Sequence, residues 1–334
     1  MAPWEFENRG TPSRKDKEIH PVQSRVYAYN EGTKHMWIND IENPYTTPEG
    51  KEFQWIRGDH VGGKSLMWHR RVPRWSNMDF EANLKDGHGV DWPLRYPDIA
   101  PWYDYVERFI GVSGSEEGLP QEPDGQFLPP FEMTCLEKHV KQKIEERWKD
   151  RKMIPTRMAN LTRPHQGRNQ CLSRNLCARG CPFGGYFSSQ SSTLPAAEAT
   201  GNLTLRPHSM VESVLYDLQK DRVTGVRVID AQSGDVIEYT SKIVFLCAGT
   251  LATTHILLNS SNSRFPDGLA NSSGELGRNL MDHHGGIGAY GIFHDFEDSY
   301  HSAGGPNMVN IPRFRNIGEE HPDFLRGYQL GGVG

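Results

Sequence analysis

The order of hydrophobic and polar residues predicts two amphipathic helices in the first half of the chain. One should cover residues 97–110 and end at Gly111, because its apolar positions recur at helical spacing. These positions are Trp102, Val106, Phe109 and Ile110. The other should begin at Thr134, which forms a capping box with Glu137, and its stripe consists of Leu136, Val140, Ile144 and Trp148. We expect both apolar faces to cover a core.

Short apolar runs separated by turns predict β-strands in the second half of the chain. They cover residues 203–206, 211–216, 223–229, 236–239 and 243–247. The earlier runs indicate an antiparallel meander that leads back to a parallel strand. The last run has the unbroken apolar character of a strand buried on both faces, and a helix should begin directly after Gly249. At such a strand end a doubly wound sheet meets a nucleotide, and Gly249 lets the backbone approach it.

Composition and charge narrow the class of protein. The 334 residues include 34 Gly and 22 Pro, which indicates extensive loops. We expect the polar stretch up to Glu31 to be surface loop, or chain separated from the part of the protein that normally supports it. The net charge is −5 with acidic and basic residues interspersed, so we expect no nucleic-acid partner. No apolar run approaches the roughly 18–20 residues of a transmembrane helix, and we find no secretory signal. The compartment stays open between the periplasm, through partner-assisted export, and the cytoplasm.

Three of the five cysteines lie within eleven positions: Cys171, Cys177 and Cys181. Three thiolates at this spacing on a loop can hold one edge of an iron–sulfur cluster. Zinc and plain buried or disulfide-linked thiols are the alternatives. The other two cysteines are poor ligand candidates, because Cys135 opens a predicted helix and Cys247 lies in a predicted buried strand.

A glycine pair followed by a serine and a tryptophan occupies residues 61–69, Val-Gly-Gly-Lys-Ser-Leu-Met-Trp-His. Gly62 and Gly63 would allow backbone amides to face a pyrophosphate or a flavin edge. The segment resembles the glucose-methanol-choline (GMC) oxidoreductases, especially the branch of pyranose oxidases and sugar dehydrogenase large subunits. In that branch a Gly-Gly-x-Ser-x-x-Trp stretch lies against the isoalloxazine ring, so the resemblance assigns Ser65 and Trp68 to the flavin face.

Further segments resemble the family in the same order along the chain. Residues 91–93 are similar to the segment that follows the flavin loop, and residues 205–213 to the strand whose Val211 backbone would meet the adenine. Ala248 and Gly249 fit the next FAD contact. Residues 276–283, which include Asp282, resemble a late Gly-x-Asn-Leu-x-Asp-His motif at the cofactor.

The resemblance implies an α/β fold, in which a doubly wound, Rossmann-like FAD-binding domain with a β-meander is followed by the start of an α+β substrate-binding domain. The expected divisions are a loop-rich segment over residues 1–57, the FAD-binding domain over 58–93 and 163–291, a helical excursion over 94–162 and the substrate-binding domain from 292 to 334. The family's opening G-x-G-x-x-G turn is not found in this sequence. We therefore expect an internal part of a longer enzyme, with the catalytic base beyond Gly334.

Two residues of the flavin segment bear on how the cofactor would be held. Met67 stands where covalent pyranose oxidases carry the flavinylated histidine, which implies a dissociable FAD. His69 would lie near flavin N5, where it could tune the reduced ring, or it is a surface or packing histidine.

The function implied by the resemblance is oxidation of a CH–OH group on a sugar or glycoside, with hydride transfer to flavin N5. In sugar dehydrogenases of this branch, a similar Cys-x5-Cys-x3-Cys-Pro stretch binds a three-iron [3Fe–4S] cluster. Such a cluster implies a small subunit and a cytochrome c or quinone acceptor. The alternatives are an oxygen-using sugar or alcohol oxidase and, in another class, a catalytically inactive fragment or binding module.

Overall fold

A computed structural model describes residues 11–174, 177, 180–281, 285–294 and 308–332 of the chain. The helices are α1 (Arg14–Ile19), α2 (Asn77–Phe80), α3 (Ala82–Asp86), α4 (Tyr96–Ile110), α5 (Cys135–Arg147), α6 (Thr193–Glu198) and α7 (Thr250–Asn259). The strands are β1 (Val112–Ser113), β2 (Phe127–Leu128), β3 (Ile154–Pro155), β4 (Ser209–Asp217), β5 (Arg222–Asp230), β6 (Val236–Thr240), β7 (Val309–Ile311) and β8 (Leu330–Gly332). Across the described residues, no helix has the length and apolar content needed to cross a membrane.

The chain forms two compact units, a larger one of Met1–Leu203 with His294–Gly334 and a smaller one of Thr204–Phe293. The larger unit contains a parallel pair, β1 with β2, and an antiparallel sheet in the order β3-β7-β8. The smaller unit contains the antiparallel sheet β4-β5-β6. This mixture of helices and sheets agrees with the α/β class, whereas the doubly wound sheet and the predicted domain boundaries stay predictions.

The start of the larger unit is more ordered than a surface loop. α1 carries a capping box between Ser13 and Asp16. Beyond it lies a hydrophobic core cluster whose buried members are Ala28, Tyr29, Met36 and Trp37. The expectation of a surface loop was therefore wrong for the described residues 11–31. The stretch is polar on average, but a few of its aromatic side chains are buried.

A second core cluster lies where three backbone segments of the larger unit run side by side. Its buried members are Ile110, Val112 and Ala159, and Trp68 and Phe187 pack against it. The Ala159 amide donates to the Arg70 carbonyl at 2.7 Å, and the Phe187 amide donates to the Ala159 carbonyl at 2.8 Å. These bonds join residues 70–72, 157–161 and 185–187 although they are far apart in sequence.

Helix α4 confirms the predicted helix, but only the Phe109 and Ile110 end of its apolar stripe packs in the core. It ends at Gly111, which has a left-handed φ of 75°. The prediction that Trp102 and Val106 cover a core was wrong, since they are 64% and 48% exposed. Glu107 is instead 5% exposed, because it pairs with the buried Arg74. An ion pair removed from water must be satisfied completely, so it dictates the rotation of the helix. Helix α5 begins as predicted, with the Thr134–Glu137 capping box in place.

The smaller unit is built on the meander that the sequence predicts. Strands β4, β5 and β6 pair antiparallel in sequence order. Helix α7 begins directly after Gly249 and packs against β4, burying Val214, Ile256 and Leu269 between them. Residues 203–206, predicted as a strand, belong to none.

The predicted buried strand over residues 243–247 was wrong. This run joins no sheet among the residues that the structure describes. Ile243 is 68% and Phe245 82% exposed, and Cys247 is also exposed. An apolar run is buried as a strand only when neighbouring strands and helices cover it. No described strand pairs with this run.

Candidate functional site

The glycine pair shapes the predicted flavin loop, which we define as residues 61–70. Gly62 has a left-handed φ of 97° and precedes a short 3-10 helix over Gly63–Leu66. A Cβ at Gly62 would lie 3.1 Å from both the Gln190 Cγ and the Leu66 Cδ1 atoms, so a side chain there would disturb the packing. A Cβ at Gly63, where φ is 49°, would meet no atom within 4 Å. Gly62 is therefore needed for the turn, and Gly63 leaves backbone open to a ligand.

Ser65 fixes the flavin loop to a second loop. Its hydroxyl accepts the Ser189 amide hydrogen at 3.0 Å and lies 3.1 Å from the Ser189 hydroxyl. The Gln190 side-chain amide also donates to the Val61 carbonyl at 2.6 Å. The predicted flavin face is thus supported by polar contacts that span more than 120 residues of sequence.

Trp68 and Met67 are held on different sides of the loop's backbone. The Trp68 indole N–H donates to the Phe187 carbonyl at 3.1 Å, and the two rings meet edge to face at 6.1 Å. Met67 packs against the core cluster that contains Tyr29 and Trp37. Trp68 is therefore preorganised, whereas Met67 contributes to the core of the unit.

His69 is exposed and meets the Tyr27 ring edge to face at a centroid distance of 4.5 Å. Partial desolvation of the ring, and then the charge of Arg70, lower its pKa. The imidazole therefore favours its neutral form at physiological pH, in which one ring nitrogen accepts and the other donates a hydrogen bond.

The three clustered cysteines lie on a loop over residues 171–181, beside the flavin loop; we call it the thiol loop. Each is half-buried, and all five cysteines of the chain are free thiols. Burial raises the pKa of Cys177, Arg70 opposes this, and the charges of Cys171 and Cys181 raise it further. Cys177 therefore favours its neutral thiol form, because burial is the largest of these influences on its pKa.

No site for a single metal ion is formed: across the described residues, no three Cys, His, Asp or Glu side chains come together to hold one. This finding gives zinc no support. Because all five cysteines are free, the disulfide alternative gains none either. An iron–sulfur cluster at Cys171, Cys177 and Cys181 stays a prediction.

Backbone hydrogen bonds attach the thiol loop to the frame that carries Trp68. The Cys171 amide donates to the Leu161 carbonyl at 2.8 Å, and the Leu161 amide donates to the Gly185 carbonyl at 2.7 Å. A cavity of about 500 Å³ is lined by Leu66 of the flavin loop and by Cys181 of the thiol loop, among others. The larger unit therefore brings Leu66 of the flavin loop and Cys181 of the thiol loop to one cavity.

The remaining predicted cofactor residues belong to the smaller unit. Val211 pairs with Val228, and a β-bulge follows it. Ala248 and Gly249 are exposed. Gly249 has a φ of 88° and caps α7 without a side chain, and a Cβ there would meet no atom within 4 Å. Asp282 lies outside the described residues. That these residues and the flavin loop bind one dinucleotide stays a prediction.

Sequence reasoning missed Tyr27, Tyr186 and Ser189, which contact the flavin loop, and the part that Arg70 plays within it. Arg70 adopts a left-handed φ of 64°, and its guanidinium lies 5.2 Å from the centre of the Tyr186 ring. Burial raises the pKa of Tyr186 to about 12, with Arg70 opposing and Cys177 and Cys181 adding to the shift. Only the Arg70-Arg71 pair that follows Trp68 could have drawn attention to this position.

The geometry is suited to a flat aromatic ligand at the flavin loop. An open backbone at Gly63, a fixed hydroxyl at Ser65 and a fixed indole at Trp68 meet in one short segment. Gly249 offers a second open stretch of backbone, at the start of a helix whose first amides lack a side-chain cap.

The chain is similar in sequence to known oxidoreductases. The family model of the GMC oxidoreductases matches residues 29–285. The 2-methyl-1,2-propanediol dehydrogenase of Mycolicibacterium austroafricanum is 30% identical over 291 residues, which cover 85% of this chain and 50% of that protein. The fructose dehydrogenase large subunit of Gluconobacter japonicus is 29% identical over 265 residues, covering 77% and 46%.

A third relative, the paromamine 6'-oxidase of Streptomyces fradiae, is 27% identical over 225 residues, which cover 66% of this chain and 40% of that protein. The chain spans about half the length of the curated relatives it matches. The family match includes both the flavin loop and the thiol loop and extends over well more than half of the sequence. The protein therefore belongs to the GMC oxidoreductase family.

Proposed function

We propose that the protein is the FAD-binding part of an oxidoreductase that oxidises a CH–OH group of a sugar or glycoside. Family membership supports the flavin chemistry, and the names of two relatives, fructose dehydrogenase and paromamine 6'-oxidase, support a sugar-like substrate. The name of a third relative, a propanediol dehydrogenase, supports the same chemistry on a smaller alcohol. The proposed substrate class common to these relatives is a compound with a CH–OH group.

The residues of the larger unit would orient the flavin ring. Gly63 would admit the ring against the backbone, Ser65 would present its hydroxyl, and Trp68 would pack beside it. Met67 has no nitrogen for a histidyl-type link and packs in the core, so the FAD would be bound without a covalent bond. In the smaller unit, Val211 and Gly249 would hold the adenosine half, and Ala248 and Asp282 would make further contacts with the FAD.

When bound, FAD supplies the acceptor for the substrate hydride. The proton of the substrate hydroxyl needs a general base, and we assign none among the described residues. His69, with its lowered pKa, would be a neutral hydrogen-bonding partner on the flavin side. Trp68 and the core behind it would exclude water from the ring.

We also propose that electrons leave through an iron–sulfur cluster on Cys171, Cys177 and Cys181. The supporting observation is the shared backbone frame: Trp68 bonds to Phe187, Ala159 bonds to both Arg70 and Phe187, and the thiol loop ends just before Phe187. Three free, half-buried thiols beside the predicted flavin face fit a thiolate-bound redox centre. A small subunit and a cytochrome c or quinone would be the next acceptors, by analogy with the large-subunit relative.

Cofactor binding can be tested without turnover. Titration with FAD should quench tryptophan fluorescence, and Trp68→Phe should remove a larger part of this quenching than Trp102→Phe. Trp102 is a matched control, because it is 64% exposed on α4. Equal loss from the two variants, or no quenching at all, would contradict the proposed flavin face.

The cluster can be tested by iron and acid-labile sulfide analysis. We expect Cys177→Ser to lose bound iron and Cys247→Ser, at an exposed thiol in the smaller unit, to retain it. Equal iron content in the two variants would refute the assignment.

A second candidate is an oxidase that passes electrons to dioxygen and leaves the cysteines without metal. The paromamine 6'-oxidase relative favours it. Oxygen consumption by a protein free of iron and acid-labile sulfide would establish it.

A further inference from the structure

We propose that a cluster of arginine and aromatic side chains in the larger unit is a binding site for a phosphate group. We call this cluster the arginine stack, and its members are Arg147, Trp148, Arg151, Phe314 and Arg315. It shares no residue with the flavin loop or the thiol loop. The inference therefore adds a site to the protein and does not depend on a bound cofactor.

Each guanidinium group of the stack lies over an aromatic ring. Arg151 is central, because its Cζ atom lies 4.5 Å from the centre of the Trp148 ring and 4.4 Å from that of Phe314. The Arg147 Cζ atom lies 4.9 Å from the Trp148 ring, and the Arg315 Cζ atom lies 5.6 Å from the Phe314 ring. Such contacts fix the position of a guanidinium group and leave its N–H donors for an oxyanion.

The local fold brings these residues together from two distant parts of the chain. Helix α5 ends at Arg147, and the Trp148 amide donates to the Ile144 carbonyl at 2.8 Å. The Arg151 amide then donates to the Trp148 carbonyl at 3.4 Å, so the chain turns back directly after the helix. Phe314 follows β7 and is 8% exposed, and it therefore anchors the stack to the interior of the unit.

Little negative charge offsets the arginine stack among the residues that the structure describes. Asp150 is near it, with 3.9 Å between its Oδ1 atom and the Arg151 Nε atom. In this part of the molecule neither Arg147 nor Arg315 forms an ion pair, and the Arg151 Nε atom is buried without a hydrogen-bond partner. Neighbouring positive charges repel one another, and a bound oxyanion would relieve this repulsion.

A cavity of about 360 Å³ lies beside the stack. Its lining includes two members of the stack and four further charged residues: Trp148, Arg151, Glu145, Lys149, Asp150 and Lys152. Two of these charges are already paired, Glu145 with Lys141 and Lys152 with Glu117. Arg151 and Lys149 therefore outweigh Asp150. The volume is at the lower end of the range for small-ligand sites, which is enough for a phosphate group and part of the molecule that carries it.

A phosphate group fits this arrangement better than a carboxylate does. Its terminal oxygens point in different directions, so they can accept hydrogen bonds from guanidinium and ammonium groups that lie at different levels of the stack. A carboxylate is planar, and its two oxygens match the edge of one guanidinium group. The phosphate belongs either to a free phosphorylated molecule or to the headgroup of an anionic lipid, and both present the same oxygens.

The test is isothermal titration calorimetry of the purified protein with pyrophosphate at low salt. Arg151→Gln removes the central guanidinium group, and Arg315→Gln removes an outer one and decides the question if Arg151→Gln does not fold. Arg14→Gln is the control, because Arg14 belongs to the same unit and its side chain is 94% exposed. Far-UV circular dichroism shows whether each variant is folded. Citrate, which carries a similar charge on planar carboxylates, is the comparison ligand.

We expect Arg151→Gln to bind pyrophosphate at least about tenfold more weakly than the wild type, as for the loss of a charge-assisted hydrogen bond. Arg315→Gln should weaken binding by at least about threefold, and Arg14→Gln by less than about twofold. Three results would overturn the proposal: no binding to the wild type, equal weakening in Arg14→Gln, or citrate binding as tight as that of pyrophosphate.

Co-sedimentation with vesicles distinguishes the two sources of the phosphate. The vesicles contain phosphatidylcholine alone, or phosphatidylcholine and phosphatidic acid at a ratio of about 4:1. Sedimentation that requires phosphatidic acid, and that pyrophosphate reverses, supports a lipid headgroup, whereas pyrophosphate binding without sedimentation supports a free phosphorylated molecule. Sedimentation that both Arg151→Gln and Arg315→Gln retain at the wild-type level would place the anion site elsewhere and overturn the proposal.

Discussion

The buried ion pair between Arg74 and Glu107 should carry a large share of the stability of the larger unit. The two residues are 4% and 5% exposed. The Arg74 Nε atom donates to Glu107 Oε1 at 2.8 Å, and Nη2 donates to Oε2 at 2.5 Å. Asp104 accepts a further bond from Nη2, and the Tyr96 hydroxyl accepts one from Nη1. Burial alone would lower the pKa of Arg74, but these bonds outweigh it and raise the pKa, so the guanidinium stays charged.

Removal of one partner of this ion pair should lower the free energy of unfolding far more than removal of both. Arg74→Met leaves the Glu107 carboxylate buried and uncompensated, which should lower the free energy of unfolding by about 3–5 kcal/mol. The double variant Arg74→Met/Glu107→Leu contains no buried charge and should lie within about 2 kcal/mol of the wild type. Most of that remaining loss would come from the Gln126 amide, which now donates to Glu107 at 2.8 Å.

Urea denaturation followed by tryptophan fluorescence measures this effect in the correct unit, because all eight tryptophans lie within the first 148 residues. Asp104→Asn is the control, since the Asp104 side chain is 32% exposed and should lose no more than about 1 kcal/mol. Two results would refute the reasoning. One is a loss below about 1 kcal/mol in Arg74→Met, and the other is a double variant whose loss equals the sum of the two single losses.

Two further predictions concern Asp16, in the capping box of α1, and the glycine pair. Burial would raise the pKa of Asp16, but hydrogen bonds from Ser13 and Lys34 outweigh it and lower the pKa from 3.8 to about 2. The carboxylate therefore stabilises the fold above pH 3.8, and this contribution of about 1 kcal/mol should fade as the pH falls towards 2. Acid unfolding titrations of Asp16→Asn should lack this loss of stability. An unchanged dependence of stability on pH would contradict the assignment. Gly62→Ala should lower the free energy of unfolding by about 2–3 kcal/mol and Gly63→Ala by about 1 kcal/mol. Both glycines have a left-handed backbone, but only the Cβ added at Gly62 is crowded. Equal losses in urea denaturation would show that packing at Gly62 is irrelevant.

Local signals in the sequence were sufficient for most of the regular elements. Gly111 and the Thr134–Glu137 capping box mark helix ends that the structure reproduces, because each acts within a few residues. The meander was predictable for the same reason, since neighbouring strands joined by short turns pair with each other. The direction in which α4 faces was not predictable, because Arg74 is 33 residues from Glu107 and no periodicity reports their pairing.

The candidate site divides in the same way. The glycine pair and the spaced cysteines are visible in the sequence, because each is a short pattern with a chemical reason. That Ser65 meets Ser189, or that Arg70 meets Tyr186, depends on how segments more than 100 residues apart come together. Single-sequence patterns contain no information on such contacts, so the connection between the two loops emerged only from the fold.

A net charge of −5 would ordinarily keep molecules of this size apart in solution. Aggregation, however, depends on the properties of individual surface segments. Between Lys242 and Gly249 no residue is charged, and Ile243 and Phe245 are 68% and 82% exposed. An exposed, uncharged apolar run of this kind is a place at which a second chain can add a strand. The concentration at which the purified protein begins to aggregate should therefore be governed by these few residues and should respond weakly to salt.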